Sequence, residues 1–220
     1  TCSYPIRSTV VLQPKSEQRT WSTCVQNGKL TPVRHMAINL GAQGDWRDDD
    51  GVLWFSYPHP PSTEWHNYGV KFDLLEKFTG KPDFFCRNAQ GIALKGTDKP
   101  WIFASGCKGM ARCEVPLLGD GDAPASYTVR LYFAETEITK PKQRVFTVKM
   151  QGKNMLKNYD IFAAAGGANT ARVEEFKGIK VEKNLLIEFE PKKEKAAPEE
   201  MPVLNGVEVI REDVTLARAN

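Results

Sequence analysis

SYTVRLYFAE, residues 126–135, alternates without a break. Tyr127, Val129, Leu131 and Phe133 occupy every second position, with Thr128, Arg130 and Tyr132 between them. Successive side chains of a β-strand point to opposite faces, so this spacing puts the four apolar residues on one face. The segment therefore reads as a strand with one buried side.

Working outward, RVFTVKM (144–150) follows the breaker Lys140-Pro141 and is itself strand-like. The turn Gln151-Gly152-Lys153 leads from it into Met155-Leu156-Lys157, which reads as a hairpin. Further strands are expected at 171–176, 179–181, 185–190 and 203–211, and upstream at 9–12, 37–40 and 52–57. Each is short and bounded by Gly, Pro, Asn or Asp, a pattern of sandwiches and jelly rolls rather than of βα alternation. Helix is scarce. VKFDLLEKF (70–78), ended by Thr79-Gly80-Lys81-Pro82, reads as a short helix or as a strand followed by a turn. KKEKAAPEE (192–200) reads as a charged, solvated, mobile loop. A boundary is expected near residues 33–35. It separates an N-terminal extension (1–35), a continuous β-domain (36–213) and a tail (214–220).

The chain has 220 residues, enough to bury a core without help from metals. Its 30 basic and 27 acidic side chains are interspersed and sum to +3, so no single-sign field marks a nucleic-acid partner. No apolar run reaches the roughly 18 residues that a membrane span needs. The first residue is Thr1, which leads to the expectation of a processed product or an excised piece. Five cysteines occur, Cys2, Cys24, Cys86, Cys107 and Cys113, without the CxxC spacing of zinc modules. Cys107 and Cys113 flank KGMAR and read as the ends of a small disulfide ring. Cys2 and Cys24 read as a second pair, leaving Cys86 over. The alternative is five buried thiols.

Catalytic patterns are missing from the sequence. The three histidines, His35, His59 and His66, sit in unrelated contexts, and HExxH, GxSxG and P-loop motifs are absent. Glu174 and Glu175 are neighbours on an expected strand and so face opposite ways, unlike the paired carboxylates of a glycosidase. A non-catalytic domain is expected.

Four segments in order, YTVRLYFAE (127–135), QRVFTVKMQGK (143–153), YDIFAAAGGAN (159–169) and PVLNGVEV (202–209), resemble the malectin family. AINLG (37–41) with DDGVLW (49–54), and NYGVKF (67–72), extend the likeness upstream. The resemblance covers about residues 36–213 and implies an all-β, galactose-binding-like, jelly-roll-like β-sandwich with little helix. TCSYPIRSTVVLQ (1–13) is similar to the last blade of quinoprotein-type propellers of large exported bacterial proteins. This similarity implies a bacterial parent, exported to the periplasm, cell surface or exterior, with a β-propeller as a further partner. An exported context in turn favours disulfides.

The family's best-known members bind sugars with loops at one end of the sandwich. The resemblance carries over residue by residue. Tyr68 matches the tyrosine of the tyrosine-glycine segment, with Gly69 behind it. The aromatic pair after the FAE strand falls on Glu137 and Ile138, and a further tyrosine falls near Gly106, so three aromatics are missing. The acidic residue before the last strand falls near Glu199. Each lost aromatic contact is worth about 0.5–1.5 kcal/mol beyond area burial. Trp65, beside His66 and Asn67, is a candidate replacement for stacking. Trp46, Trp54, Tyr57 and Trp101 read either as further contacts or as core. The loop DWRDDDG (45–51) has the oxygen-rich make-up of a calcium site, through Asp45, Asp48 and Asp50, or of a turn capped by its own aspartates. The expectation is a carbohydrate-binding module for glucan- or galactose-type sugars, with structural calcium as a candidate cofactor. The alternative is a structural or assembly domain whose sugar site has degenerated.

Overall fold

The structure, a computed structural model, describes residues 6–12, 21–26, 31–58 and 77–213. Among them the chain forms β1 (Ile6–Leu12), β2 (Trp21–Gln26), β3 (His35–Leu40), β4 (Trp46–Arg47), β5 (Leu53–Tyr57) and β6 (Lys77–Cys86). Two short helices follow, α1 (Ala89–Ile92) and α2 (Pro100–Phe103). Then come β7 (Ser105–Pro116), β8 (Ala125–Ala134), β9 (Phe146–Met150), β10 (Lys153–Tyr159), α3 (Ile161–Ala165), β11 (Ala171–Val181), β12 (Asn184–Pro191), β13 (Val203–Leu204) and β14 (Gly206–Arg211).

The strands build two sheets. One has eight strands in the order β11-β8-β14-β3-β5-β4-β1-β2; the other has β10-β9-β12-β7-β13, with β6 also on β7. The fold is an all-β sandwich with little helix. Tyr127, Val129, Leu131 and Phe133 of β8 share the inner face, as their alternation requires, and all are buried. They meet Phe146 and Val148 of β9 and Ile187 and Phe189 of β12 across the interior. Phe133 and Phe146 lie 6.2 Å apart and Phe146 and Phe189 6.3 Å, tilted pairs of the kind that add to area burial. The expected hairpin is present: Gln151 and Gly152 both have positive φ, 48° and 74°, as a tight two-residue turn between β9 and β10 demands.

Three expectations change. Cys107 and Cys113 do not form a ring. Both are buried on β7, six residues apart along one strand, on the order of 20 Å by strand rise, whereas a disulfide needs Cα atoms within about 7 Å. The alternation of β7 is interrupted at Gly109, φ +87°, which hides the strand from a period-2 reading. Thr79-Gly80-Lys81-Pro82 is not a terminator. It lies inside β6, where the pairing with β7 shifts between Phe78 and Asp83 and takes up the Gly and Pro. The segment at 203–211 is not one strand. It breaks at Asn205, with β13 in one sheet and β14 in the other. Cys2 lies outside the described residues, as does the Cys24 side chain. The N-terminal strands add to the edge of the larger sheet, through the parallel bridge Leu12↔Trp46.

Asn205 is fully buried. Its Oδ1 accepts from Ala134 N (2.8 Å), and its Nδ2 donates to Phe103 O (3.1 Å) and Ser105 O (2.6 Å). Its backbone N–H donates to Tyr132 O and its carbonyl accepts from Leu40 N, both at 2.9 Å. One side chain thus joins β8, the end of α2 and the start of β7 at the crossing.

On the outer face of the larger sheet, Glu208 of β14 is buried beneath three partners. His35 Nε2 lies 2.8 Å from Oε1; the Tyr132 hydroxyl (2.7 Å) and Arg130 Nη1 (3.2 Å) donate to Oε2. Burial alone would push this carboxyl up. The hydrogen bonds from His35 and Tyr132 and the charges of His35 and Arg130 outweigh burial and bring it down to about 2.

Asn205→Ala leaves a buried amide and two buried carbonyls without partners, and should cost roughly 3 kcal/mol or more. That is a fall in Tm of about 10 °C for a chain of this size; a loss under about 1 kcal/mol would refute the role assigned to Asn205. Glu208, depressed in the folded state, contributes stability that is complete above its ordinary value near 4.5 and is lost as pH falls from there through about 2. Urea unfolding of wild type and Glu208→Gln over this window should show the wild-type advantage vanish, a change on the order of 3 kcal/mol. Parallel pH profiles for the two proteins would contradict it.

Candidate functional site

The FAE strand, β8, ends at one end of the sandwich, and its next residues build a buried ion-pair frame. Glu135 is 1% exposed and Arg144, before β9, is 2% exposed. Glu135 Oε1 accepts from the backbone of Glu137 and of Ile138, both at 3.0 Å, while Oε2 accepts from Arg144 Nη1. Arg144 also donates from Nη2 to Glu137 (3.1 Å) and from Nε to the Glu199 carbonyl (3.2 Å). Arg87 Nη2 donates to Glu137 Oε1 (2.8 Å), and its Nη1 donates to the Thr136 hydroxyl. Lys108 of β7 lies 3.3 Å from Glu137 and 3.0 Å from Asp83.

Burial would raise the Glu137 carboxyl, but the Lys108 charge and the Arg144 contact outweigh it and hold the group below its ordinary range. Burial likewise opposes the charge on Lys108, yet Asp83 and Glu137 raise its ammonium above the usual value. Three cations and three carboxylates thus satisfy one another. A network of this kind orders a loop end. It does not offer a flat apolar face to a ligand.

Beside this frame lies a cleft of about 580 Å³. Its walls are the β8–β9 loop (Pro141, Lys142), the start of α3 (Asp160, Ala163) and the β12–β13 loop (Lys192, Glu200). Local sequence explains the walls. Asp160 caps α3 by accepting from Ala163 N (3.1 Å), and Gly166, φ 78°, ends the helix after one turn. The other Asp160 oxygen accepts from Lys142 N (2.6 Å), pinning the β8–β9 loop to the helix. In the 192–200 segment, Pro198–Glu200 forms a 3-10 turn, and Glu200 accepts from Ala197 N (3.1 Å) and pairs with Lys193. The capping signal in YDIFAAAGG was readable as an Asp N-cap and a Gly stop, whereas the cleft, made from three distant segments, had no local signal.

The sequence-derived candidates fall as follows. Tyr68, Gly69 and Trp65 lie outside the described residues. Glu137 and Glu199 come together on Arg144, the first through its carboxylate, the second through its main-chain carbonyl; the Glu199 side chain is exposed. Gly106 has no room for a tyrosine: a Cβ there would sit 2.7 Å from the Phe85 ring and 3.0 Å from Leu204 O. Trp46, Trp54 and Trp101 pack on one another, at 5.4 Å for Trp46–Trp101 and 5.7 Å for Trp54–Trp101. With Ile102, Phe103 and Tyr132 they form a second apolar cluster on the outer face of the larger sheet. The aspartate loop is engaged by protein donors. Asp45 Oδ1 accepts from Ser56 N (2.8 Å) and Oγ (3.0 Å), and Asp48 accepts from Asp50 N, Val52 N and Trp54 Nε1. Lys99 Nζ sits 2.7 Å from both Asp48 and Asp50. Among the described residues no group of three or more His, Cys, Asp or Glu could hold a metal ion.

The carboxylates that the sequence brings near one another are bound in ion pairs. Glu174 faces Tyr159 and Arg172, and Glu175 faces Arg130, on opposite sides of β11. The two-sheet scaffold carries its frame and cleft at one end and presents a loop surface there. The match to the malectin domain model, over residues 34–206, makes the chain a member of the malectin family.

A probable receptor-like protein kinase of Arabidopsis thaliana is 32% identical over 92 residues, which is 41% of this chain and 11% of that protein. The ectodomain of ANX2 from Arabidopsis thaliana superposes with a TM-score of 0.57 at 15% identity, over 80% of this chain and 49% of that one. FER, solved in complex with the plant peptide RALF23 and LLG2, superposes with a TM-score of 0.57 at 19% identity, over 80% of this chain and 48% of that one. The chain thus spans about a tenth of the kinase it matches and about half of each solved chain. At identities below 25% the structural likenesses carry the fold alone.

These comparisons correct the expectation of an exported bacterial carbohydrate module joined to a propeller. The relative matched in sequence is a probable plant receptor-like kinase, and the fold likenesses include plant receptor chains, one of them solved with a peptide, beside a Bacteroides uniformis beta-glucuronidase that superposes with a TM-score of 0.58 at 11% identity, over 91% of this chain and 22% of that one. The segment read as a propeller blade, residues 1–13, supplies β1 to the sandwich's own sheet.

The frame yields a test of its own. Arg144→Met leaves Glu135 buried and uncompensated, and should cost about 3–5 kcal/mol. Adding Glu135→Gln should recover a large part of that loss, as a double-mutant cycle by urea unfolding will measure. Additive losses would show that the pair does not act as a unit.

Proposed function

We propose that this domain recognises a protein or peptide through the loop end that carries Glu137, Arg144 and the cleft, as a malectin-like module of a plant cell-surface receptor ectodomain. The observation that carries the reading is the replacement of an aromatic stacking face by a self-neutralising ion-pair frame. A sugar ring needs an aromatic platform against its C–H face, and the loop position that would supply it holds Glu137, bound by Arg87, Lys108 and Arg144. The adjoining cleft, about 580 Å³, falls in the range of sites that take small or extended ligands. The sequence relationship to a receptor-like kinase and the fold likeness to FER, held with RALF23, point the same way. The reading favours the structural or assembly alternative drawn from sequence over sugar recognition, and places the domain outside the cell.

The test is to pan a random twelve-residue peptide display library on the immobilised domain, and to probe the same preparation on a glycan array. One or more peptide families should enrich and bind the soluble domain by calorimetry, with the array silent. Enrichment of no family would overturn the reading, and retention of a saccharide would put sugar recognition in its place.

A further inference from the structure

The cleft beside the frame carries an imbalance that the frame does not. Its two carboxylates are committed to internal contacts. Asp160 holds Ala163 N and Lys142 N, and Glu200 holds Ala197 N and Lys193. Its remaining cations, the ammonium groups of Lys142 and Lys192, have no ion-pair partner among the described residues. Lys192 is fixed by its backbone, whose N–H donates to Val145 O at 2.9 Å, and Lys142 by its N–H on Asp160, so both stems rise from ordered backbone. Between them the walls are apolar, through Pro141, Val145 and Ala163.

We infer that this cleft is the docking site of an acidic peptide segment, with Asp or Glu side chains of the partner meeting Lys142 and Lys192 and its backbone lying over the apolar walls. The inference rests on the protein-recognition reading above and names the partner chemistry of that site. Charge complementarity selects this partner. The carboxylates at the rim are already satisfied, so an incoming acid meets two uncompensated ammonium groups, while an incoming base would have to displace the helix cap or the 3-10 turn. The volume holds a few extended residues, not a folded domain. Carboxylate–ammonium contacts at such a rim set partner choice and association rate and weaken with salt.

The probe is fluorescein-labelled hexaglutamate, with hexalysine as its opposite, titrated by fluorescence anisotropy against the full chain. Lys142→Glu/Lys192→Glu reverses the cleft. Lys153→Glu/Lys180→Glu makes the same change in net charge on exposed residues, at the β9–β10 turn and at the end of β11. Hexaglutamate should bind wild type, weaken at least about tenfold in the cleft variant, and change less than about twofold in the control. Binding should also fall as salt is raised. The inference is overturned if hexaglutamate does not bind, if both double variants lose it equally, or if hexalysine binds as well. Should the display library still enrich peptides that are not acidic, the charge class is wrong and protein recognition survives. Should it enrich none, both fail.

Discussion

Asn205 stands where the chain leaves one sheet for the other. The preceding pair, Val203 and Leu204, bonds to β7; the following residues bond to β8 and β3. At such a crossing the ladders of both sheets stop, and their end groups must be satisfied in the interior. A buried amide side chain carries both an acceptor and two donors, and here each is used. A carboxylate would lack the donors and a hydrophobe both. Gly206 completes the constraint: a Cβ there would lie 2.9 Å from Ile38 O, so the crossing needs a residue without one. The pair Asn-Gly, elsewhere a hairpin signal, serves here as a sheet-to-sheet junction.

From that junction the rest of the sandwich is placed. β8 lies between β14 and β11, so the position of the crossing sets where β8 ends and hence where Glu135 emerges. Glu135 is then at the sandwich end with its carboxylate pointing inward, and a buried acid requires a cation. Arg144 meets that need, and in doing so brings the β8–β9 loop and the Glu199 carbonyl to the same place. The frame is the consequence of one buried carboxylate at the end of a central strand, and the β8–β9 loop it fixes supplies one wall of the cleft.

Much of this was legible in the chain. The alternation of 126–135, the hairpin at 151–152 and the strands at 171–176, 179–181 and 185–190 are local patterns, although the first two of these strands are one, β11, carried across a pairing irregularity between Phe176 and Ile179. The segments that escaped share a physical cause. β7 carries Gly109 at positive φ, and β6 carries Gly80 and Pro82 within a pairing irregularity, so neither shows clean alternation. The cysteines on β7 looked like a ring because a loop brings residues six apart together, whereas a strand separates them. The site was legible only in part. Glu137 and Glu199 both stand out in the sequence, as candidate carbohydrate-binding residues, but their meeting on Arg144 depends on tertiary closure that no short window records. The charged segment at 192–200 read as a solvated loop, and its capping turn and its place on the cleft wall come from packing against residues some fifty positions earlier.

On the proposed reading, the family scaffold changes its ligand class without changing its fold. Stacking a sugar requires a dehydrated aromatic face, and hydration is strongest around ion pairs at a surface. Placing Glu137 among Arg87, Lys108 and Arg144 removes the first and supplies the second. Gly106 closes the return route, since the Phe85 ring occupies the space a tyrosine would need, and Arg87 lies over that same ring at 5.0 Å. The guanidinium that binds Glu137 is thus held by the residue that excludes the aromatic. Charge frame and steric block reinforce one another at the positions of Glu137 and Gly106.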